Sequence, residues 1–589
     1  MNPSTSFDSS SFFRRAIFAA LLIGIFLLHT VFSFEGLTHK TGIDQAQVAR
    51  EVAKGNGFTT QFVRPLSIQQ LIENDKPVNI EHMPESYHSP LNMLVYAGVL
   101  KRSGAEAPDS YQMGDNDKFF ALDQAIAITC AVFFLIAIGV NYLMISRIFD
   151  QKIASVVALI MLLSNYMWQI TQSGLPQMLM LTLFSTAAYM AWRAVEAQES
   201  DKSPLIPAIL SGFFFGLLAL SHWITLWIFI GYFIFAVFYF KPRGIIGISL
   251  LALMILFIAG PVIYYLKQTG EPLGTAFHAI HKSESCMRDL TTPAPMVKGI
   301  LSATGQSILQ QFSTIHSYLG GLVLAPAFFI ALAHPFKRSC IAIFRWNILI
   351  MWVFASAGMA IYGISDKVTD PNQLHILFAP LMCAYGIAMI SIIWSRCALS
   401  KTPGIVGNMH LAVIILVVAT PTILFIKQLS NDKATNRSIN GVHALSLNKT
   451  LKSATDERDI IISDQPWAVA WYADRHAIWM PTSVAEITAL EALSAETNPI
   501  SGIHVSSMSY REQDMRASWI WNREMTPLLY AQWMSFFTRE NVTFEKNSSL
   551  ASLVHPLTGR YNQQIPLSGL LEPSIYYTRT TAKGEIDSL

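Results

Sequence analysis

The chain has 589 residues, of which 52% are hydrophobic and only 14% are charged, against about 25% charged residues in an ordinary soluble domain. Its 41 Lys and Arg residues nearly balance its 39 Asp and Glu residues, and the net charge is +2. No overall basic field therefore points to a nucleic acid partner. This composition excludes a cytosolic enzyme, a disordered protein and a disulfide scaffold, and it predicts an integral membrane protein surrounded by lipid.

Apolar runs long enough to cross a bilayer recur along the chain. A hydrocarbon core takes roughly 18 to 20 helical residues, and the runs predict eleven spans, at 16–34, 119–146, 153–169, 177–194, 204–220, 222–240, 244–266, 319–336, 346–364, 374–394 and 408–426. The first run follows Arg14 and Arg15 and has no small-residue cleavage site before Gly36, so it is interpreted as an uncleaved span rather than a signal peptide. The run at 90–100 is too short to cross and predicts an interfacial or re-entrant helix.

The short loops between the predicted spans differ in charge. Lys and Arg residues fall in the loops on the side of the N-terminus, whereas the turns on the other side at 170–176 and 221–222 carry none. This bias predicts a cytoplasmic N-terminus and an exoplasmic C-terminus, with a bacterial inner membrane as the expected location. Three longer segments then face the exoplasmic side, at 35–118, 267–318 and 427–589.

The last of these segments changes in character. Apolar runs at 459–464, 476–480 and 502–505 alternate with helical patterns at 466–473 and 483–493, which predicts a small C-terminal exoplasmic α/β domain. The expected fold is a polytopic α-helical membrane protein with a transmembrane domain over 1–426, including the loops 35–118 and 267–318, followed by the α/β domain over 427–589. Trp467 and Trp471 lie four residues apart in this tail. They suit either a sugar-binding face or the core of the domain.

The first exoplasmic loop contains Asp44. Residues 42–58 predict an amphipathic helix in which Val48 and Val52 share a face and which Gly55 or Gly57 ends. An Asp near the start of a helix is a favoured N-cap. Alternatively, Asp44 is a general base or a metal ligand held just above the membrane surface.

Arg64 and His88 follow in the same loop as candidates for binding a donor phosphate. A guanidinium offers two parallel donors and an imidazolium offers a charge-assisted one. The alternatives are a lipid head-group contact for Arg64 and a cap on the helix at Pro90 for His88.

Further histidines, in the second long loop and at the tenth predicted span, are candidates for the same phosphate. His278 and His281 are three residues apart and share a face on a helix, where they suit a metal or a phosphate or, alternatively, form a solvated pair facing the head groups. His375 lies at the start of the tenth predicted span, and a satisfied interfacial histidine is the alternative there. No metal ligand set is predicted, and the need for a divalent metal as cofactor stays open.

Three segments resemble a known family. The sequence DQAQVAREVAKGNGF at 44–58, HSPL at 88–91 and SDQPWAVAWYADRHAIWMP at 463–481 are similar to the GT-C membrane glycosyltransferases, nearest to the family 39-like group of protein O-mannosyltransferases and lipid A aminoarabinose transferases. The resemblance implies inverting transfer of a sugar from a polyprenyl-phosphate donor to a lipid, glycan or protein acceptor on the exoplasmic face. It also implies that Asp44 deprotonates or orients the acceptor hydroxyl and that His88 lies near the donor phosphate.

The sequence departs from this family at two points. The family usually has an Asp-Glu pair where this chain has Asp44-Gln45. The turn at 172–177 also lacks the acidic residue that many family members carry there. A catalytically inactive GT-C-like scaffold is therefore one alternative. A lipid or glycan transporter or flippase is another, although the predicted spans carry almost none of the ionisable residues expected along a transport path.

Overall fold

A computed structural model describes most of the chain. The described residues are 9–104, 112–276, 287–288, 290, 304–312, 321–364, 369–404, 406–431, 443–481, 483–495, 498–506, 557, 560–561, 563–567 and 574–579. In chain order the helices named below are α1 (Ser9–Leu27), α2 (Lys40–Lys54), α3 (Pro65–Glu73), α4 (Pro90–Arg102), α5 (Ala121–Ile148), α6 (Gln151–Leu162), α7 (Asn165–Thr171), α8 (Gln177–Glu199), α9 (Leu205–Ser221), α10 (Leu226–Tyr239), α11 (Arg243–Thr269), α12 (Gly321–Ala333), α13 (Ser339–Tyr362), α14 (His375–Trp394), α15 (Met409–Asn431), α16 (Pro466–Ala468) and α17 (Val484–Ser494).

Each run predicted to cross the membrane lies on an apolar helix. Among the described residues, six helices are long and apolar enough to do so, at Ala121–Ile148, Gln177–Glu199, Arg243–Thr269, Ser339–Tyr362, His375–Trp394 and Val406–Lys427. The pair α6 and α7 is bent by 57° and forms one further candidate. Shorter apolar helices occupy Ala16–Phe32, Leu205–Ser221, Trp223–Tyr239 and Val323–Ala333. The protein is thus an integral membrane protein, as predicted, while the number of eleven crossings stays a prediction.

Two helices of the first predicted exoplasmic loop pack on one end of the membrane helices. Helix α4 is the short helix expected at 90–100, and its buried residues Met93, Tyr96 and Leu100 join the main hydrophobic core. The Tyr96 hydroxyl donates to the carbonyl of Gly174, 2.9 Å away, in the turn between α7 and α8. Helix α2 lies against α4. The loop is therefore folded onto the membrane helices.

Strands and helices alternate in the described part of the tail, and its strands form a sheet. The strands of the described residues are, in chain order, β1 (Thr59–Thr60), β2 (Phe62–Val63), β3 (Met83–Pro84), β4 (Ile460–Ser463), β5 (His476–Trp479), β6 (Ile500–Ser506), β7 (Gln563–Pro566) and β8 (Ser574–Thr578). Six of them form one mixed sheet in the order β2-β5-β4-β6-β8-β7, in which β5, β4 and β6 are parallel and β8 runs antiparallel to β6. Strand β4 is buried throughout, as expected for a central parallel strand.

The edge strand β2 comes from the first predicted exoplasmic loop. Phe62 pairs with Ala477 and Val63 with Ile478, in parallel register. The small sheet of β1 and β3 precedes α4 in the same loop. One sheet therefore contains residues from both sides of the boundary predicted between 426 and 427.

Candidate active site

Helix α2 positions Asp44 on its first turns. The helix begins at Lys40 after the N-cap residue His39, whose Nδ1 accepts a hydrogen bond from the Thr41 N–H at 3.2 Å. It ends at Lys54 and is followed by the C-cap residue Gly55, which has a φ of 91° and a left-handed conformation that suits glycine. Asp44 is the fifth residue of the helix, so the interpretation of Asp44 as an N-cap is wrong.

The carboxylate of Asp44 receives three side-chain donors. Its Oδ2 accepts from Arg64 Nη2 at 2.5 Å and from His88 Nε2 at 2.7 Å, and its Oδ1 accepts from Gln47 Nε2 at 3.0 Å. The side chains of Asp44, Arg64 and His88 are each about 95% buried. The structure thus brings together three residues that the sequence singled out. Ser89, and not His88, is the N-cap residue of α4, so the interpretation of His88 as a helix cap is wrong. The alternative of a head-group contact for Arg64 stays a prediction.

The charges of this cluster stabilise one another. Burial raises the pKa of Asp44, but the charges of Arg64 and His88 outweigh it, and the net pKa is lowered. Burial likewise lowers the pKa of Arg64, while Asp44 reverses this effect and raises the pKa overall. The carboxylate is therefore ionised and the guanidinium is charged at neutral pH.

The guanidinium of Arg64 is also held between two aromatic rings. Its central carbon lies 4.2 Å from the ring centroid of Phe62 and 4.2 Å from that of Tyr87. Stacking of a planar cation on aromatic faces is favourable in a desolvated position. The two rings and Asp44 together fix where the positive charge lies.

Glu85 is a second buried carboxylate that sequence reasoning missed. Its Oε1 accepts the backbone N–H groups of Tyr87 and His88 at 2.7 and 2.8 Å. The hydroxyl of Tyr265 on α11 donates to the carbonyl of His88 at 2.9 Å, and Gln45 Nε2 lies 3.4 Å from His88 Nδ1. His88 is therefore held on its backbone and on both ring nitrogens. No sequence pattern indicates this role, because the partners of Glu85 are backbone N–H groups.

The turn between α7 and α8 packs against the start of α2. The Thr38 N–H donates to the carbonyl of Gln172 at 3.2 Å, and a Cβ on Gly42 would lie 2.1 Å from the carbonyl oxygen of Ser173. This turn carries no acidic side chain, and it contributes backbone groups to the neighbourhood of Asp44. The N-terminus of α2 therefore packs closely against the turn between α7 and α8.

A small, half-open cavity lies beside Asp44. Residues from the first loop, from the second loop and from the tail line it, namely Lys40, Thr41, Asp44, Phe62, Arg64, Tyr87, Met287, Trp467 and Trp479. The cavity contains a carboxylate, a guanidinium and several aromatic rings. Such a set can bind a hydroxyl-bearing ring beside an anionic group.

Of the two remaining phosphate candidates, His375 is among the described residues and His281 is not. His375 is the first residue of α14 and is fully buried, and its Nδ1 accepts a hydrogen bond from Trp352 Nε1 at 3.0 Å. Its assignment to the donor phosphate stays a prediction. His281, with its neighbour His278, lies outside the described residues.

A divalent metal was left open by the sequence. Within the described ranges, no group of three or more His, Cys, Asp or Glu side chains is arranged to hold a metal ion. The carboxylate of Asp44 is already engaged by Arg64 and His88. A metal ion at Asp44 would have to displace these two partners, so the residues present fit a metal poorly.

Comparison with known proteins gives matches in structure but not in sequence. No family model matches the chain, and no curated protein matches it. The archaeal oligosaccharyltransferase AglB from Archaeoglobus fulgidus, in complex with an inhibitory peptide and a dolichol-phosphate, superposes with a TM-score of 0.53 at 11% identity, over 88% of this chain and 72% of that one. ArnT from Cupriavidus metallidurans in the apo state gives a TM-score of 0.53 at 9% identity, over 96% of this chain and 98% of that one.

A second structure of ArnT from Cupriavidus metallidurans, bound to undecaprenyl phosphate, gives a TM-score of 0.50 at 10% identity, over 95% of this chain and 97% of that one. At these identities the likeness concerns the fold. The resemblance predicted from the sequence is thereby confirmed at the level of the fold.

Proposed function

From the GT-C fold that this chain shares with AglB and ArnT, we propose that the protein is a membrane glycosyltransferase. It transfers a sugar from a polyprenyl-phosphate donor to a lipid, glycan or protein acceptor on the exoplasmic face, with inversion at the anomeric carbon. The observation that carries the proposal is the ionised Asp44 beside the charged Arg64 on the wall of one cavity. Structures of the two neighbours hold dolichol-phosphate and undecaprenyl phosphate, which supports a lipid-linked donor.

In this mechanism Asp44 orients the acceptor. Its Oδ1 accepts one side-chain hydrogen bond, from Gln47, and a carboxylate oxygen can accept more than one. The acceptor hydroxyl donates to this oxygen and attacks the anomeric carbon in line with the bond to phosphate. The C–O bond to the phosphate breaks, and the phosphate leaves with the bonding electron pair.

The lowered pKa of Asp44 determines when the proton moves. A carboxylate of low pKa is too weak a base to deprotonate a free hydroxyl, but the hydroxyl becomes acidic as its oxygen bonds to the anomeric carbon. Asp44 therefore takes the proton late. His88, fixed by Glu85, acts as a positioning residue that keeps the carboxylate in place.

Arg64 supplies positive charge for the leaving group. Its guanidinium has five N–H donors, one of which reaches Asp44, so the group can hold a phosphate oxygen as well. A fixed cation beside the developing phosphate charge lowers the energy of the transition state. The sandwich between Phe62 and Tyr87 keeps that cation in place before the substrate arrives.

The proposed orientation follows from the charged loops. The basic short loops favour a cytoplasmic N-terminus, which puts the cavity and the tail on the exoplasmic side. In a bacterium this is the periplasmic face of the inner membrane.

The test is sugar transfer in proteoliposomes from a labelled polyprenyl-phosphate donor to envelope acceptors. Asp44→Asn keeps the shape of the side chain and removes its charge, and transfer should fall by about 10²- to 10⁴-fold. The matched control is Asp75→Asn in the same loop, at an exposed residue with a φ of 53°, which should leave transfer unchanged. Undiminished transfer by Asp44→Asn would remove Asp44 from the chemistry. Binding of donor lipid without any transfer by the wild type would instead indicate an inactive scaffold.

A further inference from the structure

One wall of the cavity is aromatic, and the tail contributes most of it. Trp467 of α16 and Trp479 of β5 meet edge to face, with ring centroids 6.1 Å apart. Phe62 of β2 completes the group, with its centroid 6.1 Å from Trp467 and 5.6 Å from Trp479. All three line the cavity with Asp44. Two separate parts of the chain thus build a single aromatic wall beside the reactive carboxylate.

The two tryptophans that the sequence offered have different roles. Trp471 is completely buried, and its Nε1 donates to Asp123 Oδ1 at 2.7 Å, so it belongs to the core. Trp467 belongs to the same hydrophobic core and is 8% exposed, but unlike Trp471 it also lines the cavity. Core packing alone therefore accounts for Trp471, whereas Trp467 has a second surrounding, the cavity.

A cation lies over the Trp467 ring at the cavity. Lys40 Nζ lies over this ring, 5.7 Å from its centroid, and Lys40 also lines the cavity. The face of an aromatic ring is negative and attracts positive charge. The polarised C–H groups on one face of a sugar ring are attracted for the same reason. An indole that lines a polar cavity is therefore suited to a ring that is apolar on its face and hydroxylated at its edge.

We propose that Trp467, supported by Trp479 and Phe62, is a sugar-stacking subsite that holds one sugar ring beside Asp44. The inference rests on the proposed function and specifies its substrate. The ring comes either from the lipid-linked donor or from an acceptor that is itself a glycan. In both cases the tail contributes directly to substrate recognition.

The experiment measures binding to the full-length protein in nanodiscs, with two labelled lipids and one set of soluble sugars. The lipids are undecaprenyl phosphate and undecaprenyl phosphate bearing a hexose, and the sugars are neutral disaccharides studied by calorimetry. The variants are Trp467→Ala and Trp467→Phe, of which the second keeps an aromatic face and protects against a folding artefact. The control is Trp346→Ala on α13, a 46% exposed tryptophan that also has a cation over its ring, Arg345 at 5.7 Å.

If the donor supplies the ring, Trp467→Ala weakens binding of the sugar-bearing lipid roughly 3- to 10-fold. Binding of undecaprenyl phosphate without a sugar stays unchanged, and Trp467→Phe is intermediate. If a glycan acceptor supplies the ring, both lipids bind as before and the disaccharide affinity is lost. The proposal is overturned if all ligands bind Trp467→Ala as they bind the wild type, if the two lipids weaken equally, or if Trp346→Ala has the same effect.

The outcome is separable from that of the proposed function. Asp44→Asn abolishes transfer but leaves the aromatic wall intact, so sugar binding that depends on Trp467 should persist in this variant. If sugar binding depends on Trp467 but the wild type never transfers sugar, the proposed function is refuted and the sugar-stacking subsite is retained. If the wild type transfers sugar but its sugar binding does not depend on Trp467, the subsite is refuted and the proposed function is retained.

Discussion

Arg64 has more partners in the candidate site than its position in the sequence suggests. It contacts the carboxylate of Asp44 and the faces of Phe62 and Tyr87. A buried cation is costly unless it is paired, and here the pairing also places it on the cavity wall. The same contacts that stabilise the charge therefore hold it at the cavity, where the proposed reaction needs a cation for the leaving phosphate.

Replacing Arg64 with lysine separates charge from shape. An ammonium is a compact point charge, which cannot stack as a plane and cannot hold a carboxylate and a phosphate in one fork. We expect Arg64→Lys to raise the KM for the donor and to lower kcat, together by about 10-fold or more. Steady-state transfer kinetics with varied donor would measure both constants. Arg147→Lys, at a 43% exposed side chain paired with Glu196, is the control and should behave as wild type. A wild-type KM in Arg64→Lys would exclude a bidentate role.

The charged residues of the site could be predicted from the sequence and the role of Glu85 could not. Asp44, Arg64 and His88 stand out because charged and imidazole side chains are scarce in this chain and gather in one loop. Glu85 binds backbone N–H groups, and no residue pattern reports where a backbone donor will point. The contacts of Glu85 with the N–H groups of Tyr87 and His88 follow from the folded conformation of the loop.

At the scale of elements, α2 connects the cavity to the tail. Asp44 and Gln47 belong to the cavity side, and one helical turn further on Arg50 binds the tail. Arg50 Nη1 donates to the carbonyl of Trp471 at 2.7 Å, and its Nη2 lies 2.9 Å from Asp474 Oδ1. Burial raises the pKa of Asp474, but Arg50 and Lys54 reverse this and lower it overall. This pairing is therefore present above the ordinary pKa of a carboxyl group and is lost only as the pH falls through the lower folded value.

The start of α2 depends on one glycine. A Cβ on Gly42 would lie 2.1 Å from the carbonyl oxygen of Ser173 and under 3 Å from the backbone of Gly174. Backbone atoms cannot rotate away as the end of a side chain can. Gly42→Ala should therefore shift α2 and Asp44 with it, and destabilise the protein by about 1–3 kcal/mol.

Thermal unfolding in nanodiscs, followed by the transfer assay, checks the Gly42 prediction. The control is Gly98→Ala in α4, where an added Cβ meets nothing within 4 Å. This substitution should be neutral or raise the stability slightly, since alanine is the better helix former. Equal melting temperatures for Gly42→Ala and the wild type would show that the contact with Ser173 is not tight.

The predictability of elements followed their length. Helices such as α5 and α11 have 28 and 27 residues, and their continuous hydrophobicity predicts them without ambiguity. Strand β2 has two residues and pairs with β5 more than 400 residues later. A pair of residues carries no periodicity, and its partner is fixed by how the whole loop packs. The predicted tail sheet therefore lacked the strand that joins it to the first loop.

At the scale of the molecule, the tail is built into the site and does not stand beside it. Strand β2 joins the tail sheet, and Trp467 and Trp479 line the cavity. The tail also contacts the membrane helices through Asp123 in the first turn of α5. This carboxylate accepts from Trp471 Nε1 at 2.7 Å and from the Tyr472 hydroxyl at 3.0 Å. It also accepts from the Leu37 N–H at 3.3 Å.

Asp123 is the residue at which this connection can be tested. Three donors converge on two acceptor oxygens, and Asp123→Asn replaces one oxygen with an NH₂ group that itself donates. At least one buried donor then loses its partner, which costs about 1–3 kcal/mol. We expect a lower melting temperature, faster amide exchange in both α2 and β5, and reduced sugar transfer, because the aromatic wall is displaced from Asp44.

The matched control for Asp123 is Asp115→Asn, at a side chain that is 87% exposed and paired with Lys449. Exposed pairs contribute little, so this variant should melt and exchange like the wild type. Faster exchange confined to the tail in Asp123→Asn, with α2 unaffected, would show that the first loop keeps its structure without the tail. Exchange that rises in α2 and β5 together would show that loop, tail and membrane helix open as one unit, as a shared sheet and a shared carboxylate require.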